Sequence, residues 1–152
     1  MNPTAKPSSG KKVIHCYHAN IGACNGCDLE VFNLLSDCLR KKKHLDIKLV
    51  RSVKSADILL ASGSLSRSVL KKIKDLKESI SGSKIIIAIG TCAIDGGPWR
   101  KSFNVVGGID KALSVNCFVP GCPPTPEAIL QGIELALGIK KKLFSPHVYK
   151  EK

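Results

Sequence analysis

Hydrophobic positions along the chain follow two alternating patterns, one of short apolar runs and one of helical spacing. The short runs predict five strands, at residues 13–17, 47–50, 58–61, 84–89 and 115–119. Apolar positions spaced by three and four residues predict helices at 29–39, 69–80, 109–114 and 126–137. Strands that alternate with helices predict an α/β fold, an open and mostly parallel sheet with helices on both faces.

The length of the chain predicts a single domain. A chain of 152 residues with 43% hydrophobic residues can bury a substantial core. We expect a flexible polar tail at 1–11, an α/β domain at 12–139 and a basic tail at 140–152. The longest apolar run, at 85–89, is far short of the roughly 20 residues of a membrane-spanning helix, and no secretory signal is visible. The sequence therefore predicts a protein of the reducing cytoplasm.

Three of the seven cysteines fall at predicted core positions. Cys16 and Cys117 lie inside predicted strands, and Cys38 lies on the apolar side of the first predicted helix. Free cysteine is among the residues most often buried. We therefore interpret these three as core thiols.

The other four cysteines lie in three segments that each directly follow a predicted strand: Cys24, Cys27, Cys92 and Cys122. The carboxyl ends of parallel strands meet at one edge of a sheet, where ligands bind. Neighbouring glycines let the backbone approach a bulky inorganic ligand closely. The sequence therefore predicts that four thiols meet at this edge.

Four thiols without a histidine or carboxylate partner suit an iron-sulfur cluster or a structural zinc ion. Structural zinc usually uses two close cysteine pairs, whereas here the Cys24–Cys27 pair is followed by two single cysteines far along the chain. This spacing favours one cluster, with zinc as the alternative. A third interpretation is a redox dithiol at a helix start, where the dipole lowers thiol pKa values, but it gives Cys92 and Cys122 no role.

Three motifs carry a family resemblance: CNGCDLE at 24–30, GTCA at 90–93 and PGCPP at 120–124. Over residues 13–138 the chain resembles the proximal-cluster subunit shared by [NiFe] hydrogenases and respiratory complex I. The C-x-x-C form is that of hydrogenases, since complex I has two adjacent cysteines here. The short length and the Asp28-Leu29-Glu30 continuation look most like the small subunit of energy-converting membrane-bound hydrogenases. Uptake hydrogenases carry further cysteines for additional clusters, so the absence of cysteines after Cys122 argues against that type.

The resemblance implies a flavodoxin-like fold with one [4Fe-4S] cluster on Cys24, Cys27, Cys92 and Cys122. It implies an electron-relay subunit that is not catalytic alone. Its partners would be a large subunit with a nickel-iron centre, or the complex I homologue of that subunit, a ferredoxin-like cluster subunit and, indirectly, membrane-embedded subunits. The chain would then lie at the inner face of the cell membrane.

Several residues near the predicted site have two interpretations. By resemblance, Glu30 lies at the large-subunit interface and couples proton movement to electron transfer, although acidic residues also simply favour a first helical turn. Trp99 and Arg100 follow the second loop and are interpreted as an interface anchor rather than loop packing. His15 and His18, near the end of the first strand, are interpreted as structural.

The net charge of +12 first suggests nucleic-acid binding. However, the one Trp, two Tyr and four Phe are not interleaved with the basic runs, so no stacking platform is visible. We therefore expect no nucleic acid as partner. The lysines are interpreted as solvated helix faces, with docking to acidic subunits or an anionic membrane as alternative roles.

Overall fold

The computed structural model describes residues 12–36, 45–80 and 84–139, which form strands, helices and short turns in alternation. The strands are β1 Lys12–Asn20, β2 Leu45–Leu49, β3 Ile58–Ser62, β4 Leu65–Ser66, β5 Ile85–Ile89, β6 Val105–Gly107 and β7 Cys117–Val119. The α-helices are α1 Gly26–Leu35, α2 Leu70–Ser79, α3 Gly90–Asp95 and α4 Pro126–Ala136. Three 3-10 turns lie at Val53–Ser55, Gly97–Trp99 and Ile109–Lys111.

Five strands form one parallel sheet in the order β2-β1-β3-β5-β7. The short strands β4 and β6 pair antiparallel in a separate two-stranded sheet. The predicted parallel α/β architecture is therefore confirmed. Because the chain moves outward from β1 in one direction and from β3 in the other, the topological switch point lies between these two strands.

The core lies on both faces of the central strands β3 and β5. On one face, Leu60 and Ile87 pack with residues of α1 and α4 such as Val31 and Ile129. On the other face, Leu59, Ile86 and Ala88 pack with the remaining helices. Continuous apolar runs are what a strand covered on both faces requires, and the predicted helices on both faces are confirmed.

The structure differs from the predicted elements mainly at their ends. β1 continues to Asn20, beyond the predicted residue 17, because its last residues are held by backbone pairing with β3 and not by an apolar pattern. The predicted helix at 109–114 is a single 3-10 turn. The six-residue helix α3, too short to show a periodic pattern, was not predicted.

Some predictions fall on residues outside the described ranges. The predicted tails at 1–11 and 140–152 lie there, as do Cys38 and the predicted end of the first helix. Among the residues that are described, no helix is both long and apolar enough to cross a membrane.

Candidate metal centre

Three chain segments bring the four predicted cysteines to the carboxyl edge of the parallel sheet. Cys24 precedes α1, and Cys27 is the second residue of that helix. Cys92 is the third residue of α3, and Cys122 lies between β7 and α4. The second and third segments are joined because the Thr91 N–H and hydroxyl both donate to the Gly121 carbonyl, at 2.9 and 3.2 Å.

All four cysteines line one cavity of about 80 Å³. The remaining lining residues are Ala23, Gly26, Gly121 and Pro123. A single water needs roughly 10–15 Å³ of such space, so the cavity has room for a group of several atoms. In the described ranges, no three His, Cys, Asp or Glu side chains lie close enough together to bind one metal ion. The four thiols share this cavity, whose volume fits a group of several atoms such as a cluster.

Two glycines allow the thiols to lie directly against the backbone. Gly90 has a φ of +81°, and a Cβ atom there would lie 2.6 Å from the Cys27 sulfur. Gly97 has a φ of +59°, and a Cβ atom there would lie 2.8 Å from the Cys92 sulfur. Because real Cβ atoms do not approach sulfur so closely, larger residues at either position would displace the thiol.

The electrostatics of the cavity favour a cationic ligand. Burial, followed by the charges of Cys92, Cys24, Asp28 and Cys122, raises the pKa of the Cys27 thiol to about 11. Burial and the nearby charges of Cys122 and Cys24 also raise the pKa of Cys92. Thiols that repel one another when ionised lose their protons most readily when a positively charged centre binds the resulting thiolates. An all-sulfur donor set of this kind fits an iron-sulfur cluster.

The predicted core thiols have two different environments. Cys16 is completely buried, and burial together with the charge of Asp57 raises its pKa to about 12. Its prediction as a core residue is confirmed. Cys117 is only partly buried, although burial still raises its pKa, because β7 is an edge strand with one neighbour in the sheet.

The three further residues singled out in the sequence do not line the cavity. Glu30 lies on α1, where its carboxylate accepts a hydrogen bond of 3.3 Å from the Asn33 amide. Trp99 is 65% exposed, so it does not pack into the core of this chain. Arg100 extends beside Asp95 with a nitrogen–oxygen distance of 3.7 Å.

A polar network beside the first cysteine pair was not predicted. The carboxylate of Asp28 lies 2.9 Å from the Ser62 hydroxyl and 3.2 Å from His18 Nε2, and it also accepts from the Asn20 amide. Burial lowers the pKa of His18, and the charge of Asp28 opposes this shift. His18 is thus a bonded structural histidine, as interpreted, with Ser62 and Asp28 as its partners. No spacing in the sequence indicates that Ser62 and Asn20 belong to this network.

The sequence of the chain is similar to subunits of several oxidoreductase complexes. The family described as NADH ubiquinone oxidoreductase, 20 Kd subunit, matches residues 24–136. A probable membrane-bound hydrogenase subunit, mbhJ of Pyrococcus furiosus, is 39% identical over 132 residues, which cover 87% of this chain and 78% of that one. Formate hydrogenlyase subunit 7 of Escherichia coli is 39% identical over 129 residues, covering 85% of this chain and 50% of that one. An NADH-quinone oxidoreductase subunit of Phocaeicola vulgatus is 40% identical over 94 residues, covering 61% and 48%.

Two solved structures share the fold. A chain of an NAD⁺-reducing [NiFe]-hydrogenase aligns with a TM-score of 0.64 at 18% identity and covers 91% of this chain and 99% of its own. A chain of an archaeal membrane-bound sulfane sulfur reductase aligns with a TM-score of 0.66 at 26% identity, covering 85% and 71%. The strand order is that of flavodoxin-like folds, so the predicted fold class is confirmed.

Proposed function

Because the chain belongs to the family of the 20 kDa subunit of NADH ubiquinone oxidoreductase, we propose that it is an electron-transfer subunit of an oxidoreductase complex. It binds one [4Fe-4S] cluster on Cys24, Cys27, Cys92 and Cys122. The observation that carries this proposal is that thiols from three separate segments line a single cavity.

The protein around the cavity would adjust the potential of a bound cluster, and the exposed side of the cavity would face another protein. The cluster, when bound, supplies a one-electron change of charge, and burial, backbone N–H groups and nearby charges adjust its potential. Cys27 and Cys92 form the partly buried side of the cavity, whereas Cys24 and Cys122 are exposed. A cluster held here has an open side, so we expect another protein of the complex to cover it.

We propose a membrane-associated [NiFe]-hydrogenase complex as the setting. The C-x-x-C form of the first motif and the similarity to a probable membrane-bound hydrogenase subunit support it. The chain would pass single electrons between a ferredoxin-like cluster subunit and the nickel-iron centre of a large subunit. It would lie in the cytoplasm, at the inner membrane face, held there by its partners.

A complex I-like quinone oxidoreductase is the second candidate. It is favoured by the similarity to the NADH-quinone oxidoreductase subunit of Phocaeicola vulgatus, although that similarity covers less of both chains. Nickel analysis of the complex purified from its native source separates the two settings. Nickel in a ratio of about one to this chain is expected for the hydrogenase, and its absence together with quinone reduction would favour the second candidate.

Cofactor analysis of the chain tests the cluster itself. After anaerobic purification we expect about four iron and four sulfide per chain, and an EPR signal after reduction. A colourless protein that contains one zinc ion would overturn the proposal in favour of a zinc-stabilised binding module.

Exposed apolar side chains close to the cysteines mark the surface proposed for the large subunit. Leu29 and Phe32, 62% and 57% exposed, lie on the helix that carries Cys27, and Trp99 follows the helix that carries Cys92. Large apolar residues in such positions often anchor interfaces. Phe32→Ala and Trp99→Ala should reduce co-purification of the large subunit at least tenfold, corresponding to about 1.4 kcal/mol or more.

Val13 provides the matched control for this surface. It is also exposed and apolar, but it lies near the start of β1, at the other end of the strand from the cysteines. Val13→Ala should leave co-purification unchanged. Equal losses in all three variants would indicate a general defect and contradict the assignment of the interface.

Glu30 and Arg100 are proposed to lie at the same interface. Glu30 follows Cys27 by one turn of α1, and its carboxylate accepts a hydrogen bond from Asn33 of the same helix. We propose that it couples proton movement to electron transfer. Glu30→Gln should lower proton-coupled turnover of the complex without loss of iron, and unchanged turnover would remove this role.

A further inference from the structure

A partly buried hydrogen-bond network occupies the topological switch point between β1 and β3. In open α/β sheets this point is a common crevice for ligands. Here His18 and Asn20 at the end of β1, Ser62 at the end of β3 and Asp28 of α1 fill it with their own side chains. The side chains of His18 and Asp28 are only 11% and 15% exposed. The crevice is therefore used to hold the first turn of α1 against the sheet.

The direction of each hydrogen bond in the network follows from the number of available protons. The Ser62 hydroxyl has one proton and donates it to Asp28 Oδ1. The contact of 3.0 Å between Ser62 Oγ and His18 Nε2 then requires the proton to be on His18. All bonds to Asp28 therefore run from a donor to its carboxylate.

Asn20 links this carboxylate to the segment before Cys24. Its amide nitrogen donates to Asp28, and its Oδ1 accepts from the backbone N–H groups of Gly22 and Ala23, at 3.0 and 2.9 Å. A flip of the Asn20 side-chain amide would break these two hydrogen bonds. Asp28, which directly follows Cys27, is in this way joined to the backbone that leads into Cys24.

We propose that Asp28 is a positioning residue for the Cys24–Cys27 half of the site, and that its carboxylate charge lowers the reduction potential of the cluster. The inference rests on the proposed cluster. A negative charge next to a ligand opposes the addition of an electron, and nearby charge is one of the few means by which a protein adjusts such a potential. A unit charge within about 10 Å, at an effective dielectric constant of about 20, changes a one-electron equilibrium roughly tenfold.

Three variants separate charge from position. Asp28→Asn removes the charge and one of the two acceptor oxygens. If the remaining oxygen still accepts from Ser62, the new amide nitrogen faces the amide nitrogen of Asn20, so that two donors face each other. The double variant Asn20→Asp with Asp28→Asn restores a donor–acceptor pair and returns a negative charge to the network. Asp46→Asn removes one carboxylate at a position paired with Val13, roughly 20 Å along β1 from the network, and is the control for charge.

The measurements are the midpoint potential, from an EPR-monitored redox titration, and the Tm of the same protein. Asp28→Asn should raise the potential by about 59 mV, the equivalent of a tenfold change for one electron, and lower Tm by about 3 to 6 °C. The double variant should recover Tm and bring the potential back toward that of the wild type. Asp46→Asn should change the potential by less than a third as much.

Each outcome bears on one part of the inference. Equal potentials in Asp28→Asn, Asp46→Asn and the wild type would overturn the effect of charge. A double variant no more stable than Asp28→Asn would overturn the positioning role, as would loss of the cluster in both. Cluster loss in Asp28→Asn alone, with recovery in the double variant, would support positioning. A wild-type protein without iron and sulfide would instead overturn the proposed function, while the Tm comparison would still test the network.

Discussion

Cysteines lie both in the interior of the sheet and at its carboxyl edge, and their surroundings differ between these two regions. Cys16 lies in the middle of β1, completely buried among apolar side chains, and burial raises its pKa to about 12. Cys27 lies just beyond the same sheet, and burial raises its pKa to about 11, assisted by three neighbouring thiols. Burial alone makes a thiol inert, whereas a thiol grouped with three others is a candidate metal ligand.

The backbone of the two regions differs as well. The interior strands are extended and apolar, and β3 is buried at each of its five positions. At the edge, the chain turns through left-handed conformations, as at Gly90, directly after the last residue of β5. Such turns cost roughly 1 kcal/mol or more for other residues, and a glycine at this position avoids that cost.

Removing a thiol at the edge should have the largest effect. In Cys27→Ser, iron should fall from about four per chain to less than one, because a neutral hydroxyl is a poor ligand for a cluster. Anaerobic iron and sulfide analysis measures this. Cys16→Ser is the matched control and should keep its iron. If both variants kept their iron, the division between edge and interior thiols would be wrong.

A methyl group at Gly90 should disturb the edge without removing a ligand. Gly90→Ala combines a positive φ with a Cβ atom 2.6 Å from the Cys27 sulfur. We expect at least a halving of bound iron and a loss of about 3 kcal/mol in the free energy of unfolding, measured by urea denaturation.

Gly138 is the control for backbone strain alone. Its φ is +70°, but no atom lies within 4 Å of a Cβ atom built there. Gly138→Ala should cost about 1 kcal/mol and leave iron unchanged. Similar results for the two variants would show that strain, and not contact with the thiol, determines the effect at Gly90.

The sequence predicts the carboxyl edge better than its supporting contacts. The four cysteines could be assigned because each follows an apolar run that identifies a strand, and the ends of parallel strands share one edge. The network around Asp28 could not be predicted, since Asn20 and Ser62 are brought together by the register of β1 and β3. Register depends on the packing of the whole sheet, and no local spacing records it.

The same limit explains the differences in the fold. The last residues of β1 are polar or small, so their membership of the strand rests on backbone pairing with β3. The helix α3 spans only six residues and begins with glycine, a weak helix former. Its position depends on contacts such as those of the buried Ala93, which come from distant parts of the chain.

In the interior, Cys16→Ser should destabilise the protein by about 2 kcal/mol, because a hydroxyl replaces a fully buried thiol that belongs to the hydrophobic core. The free energy of unfolding from urea denaturation tests this value. Cys117→Ser, at a partly buried position on an edge strand, should cost less than half as much. Equal costs would mean that Cys16 has a polar neighbour able to satisfy a hydroxyl.

Smaller than the loss in Cys16→Ser is the dependence of stability on pH caused by Cys16. Its pKa is 9.0 as an ordinary thiol and about 12 in the folded chain, so between these values the unfolded chain has lost a proton that the folded chain retains. The contribution of the neutral thiol is therefore complete below pH 9 and is lost progressively as the pH rises toward 12. Relative to Cys16→Ala, which shares all other titrating groups, the wild type should lose about 1.4 kcal/mol of unfolding free energy between pH 8 and pH 10. A difference between the two proteins that stays constant over this range would show that Cys16 ionises as easily in the folded chain as in the unfolded one, and that the interior does not isolate its thiol.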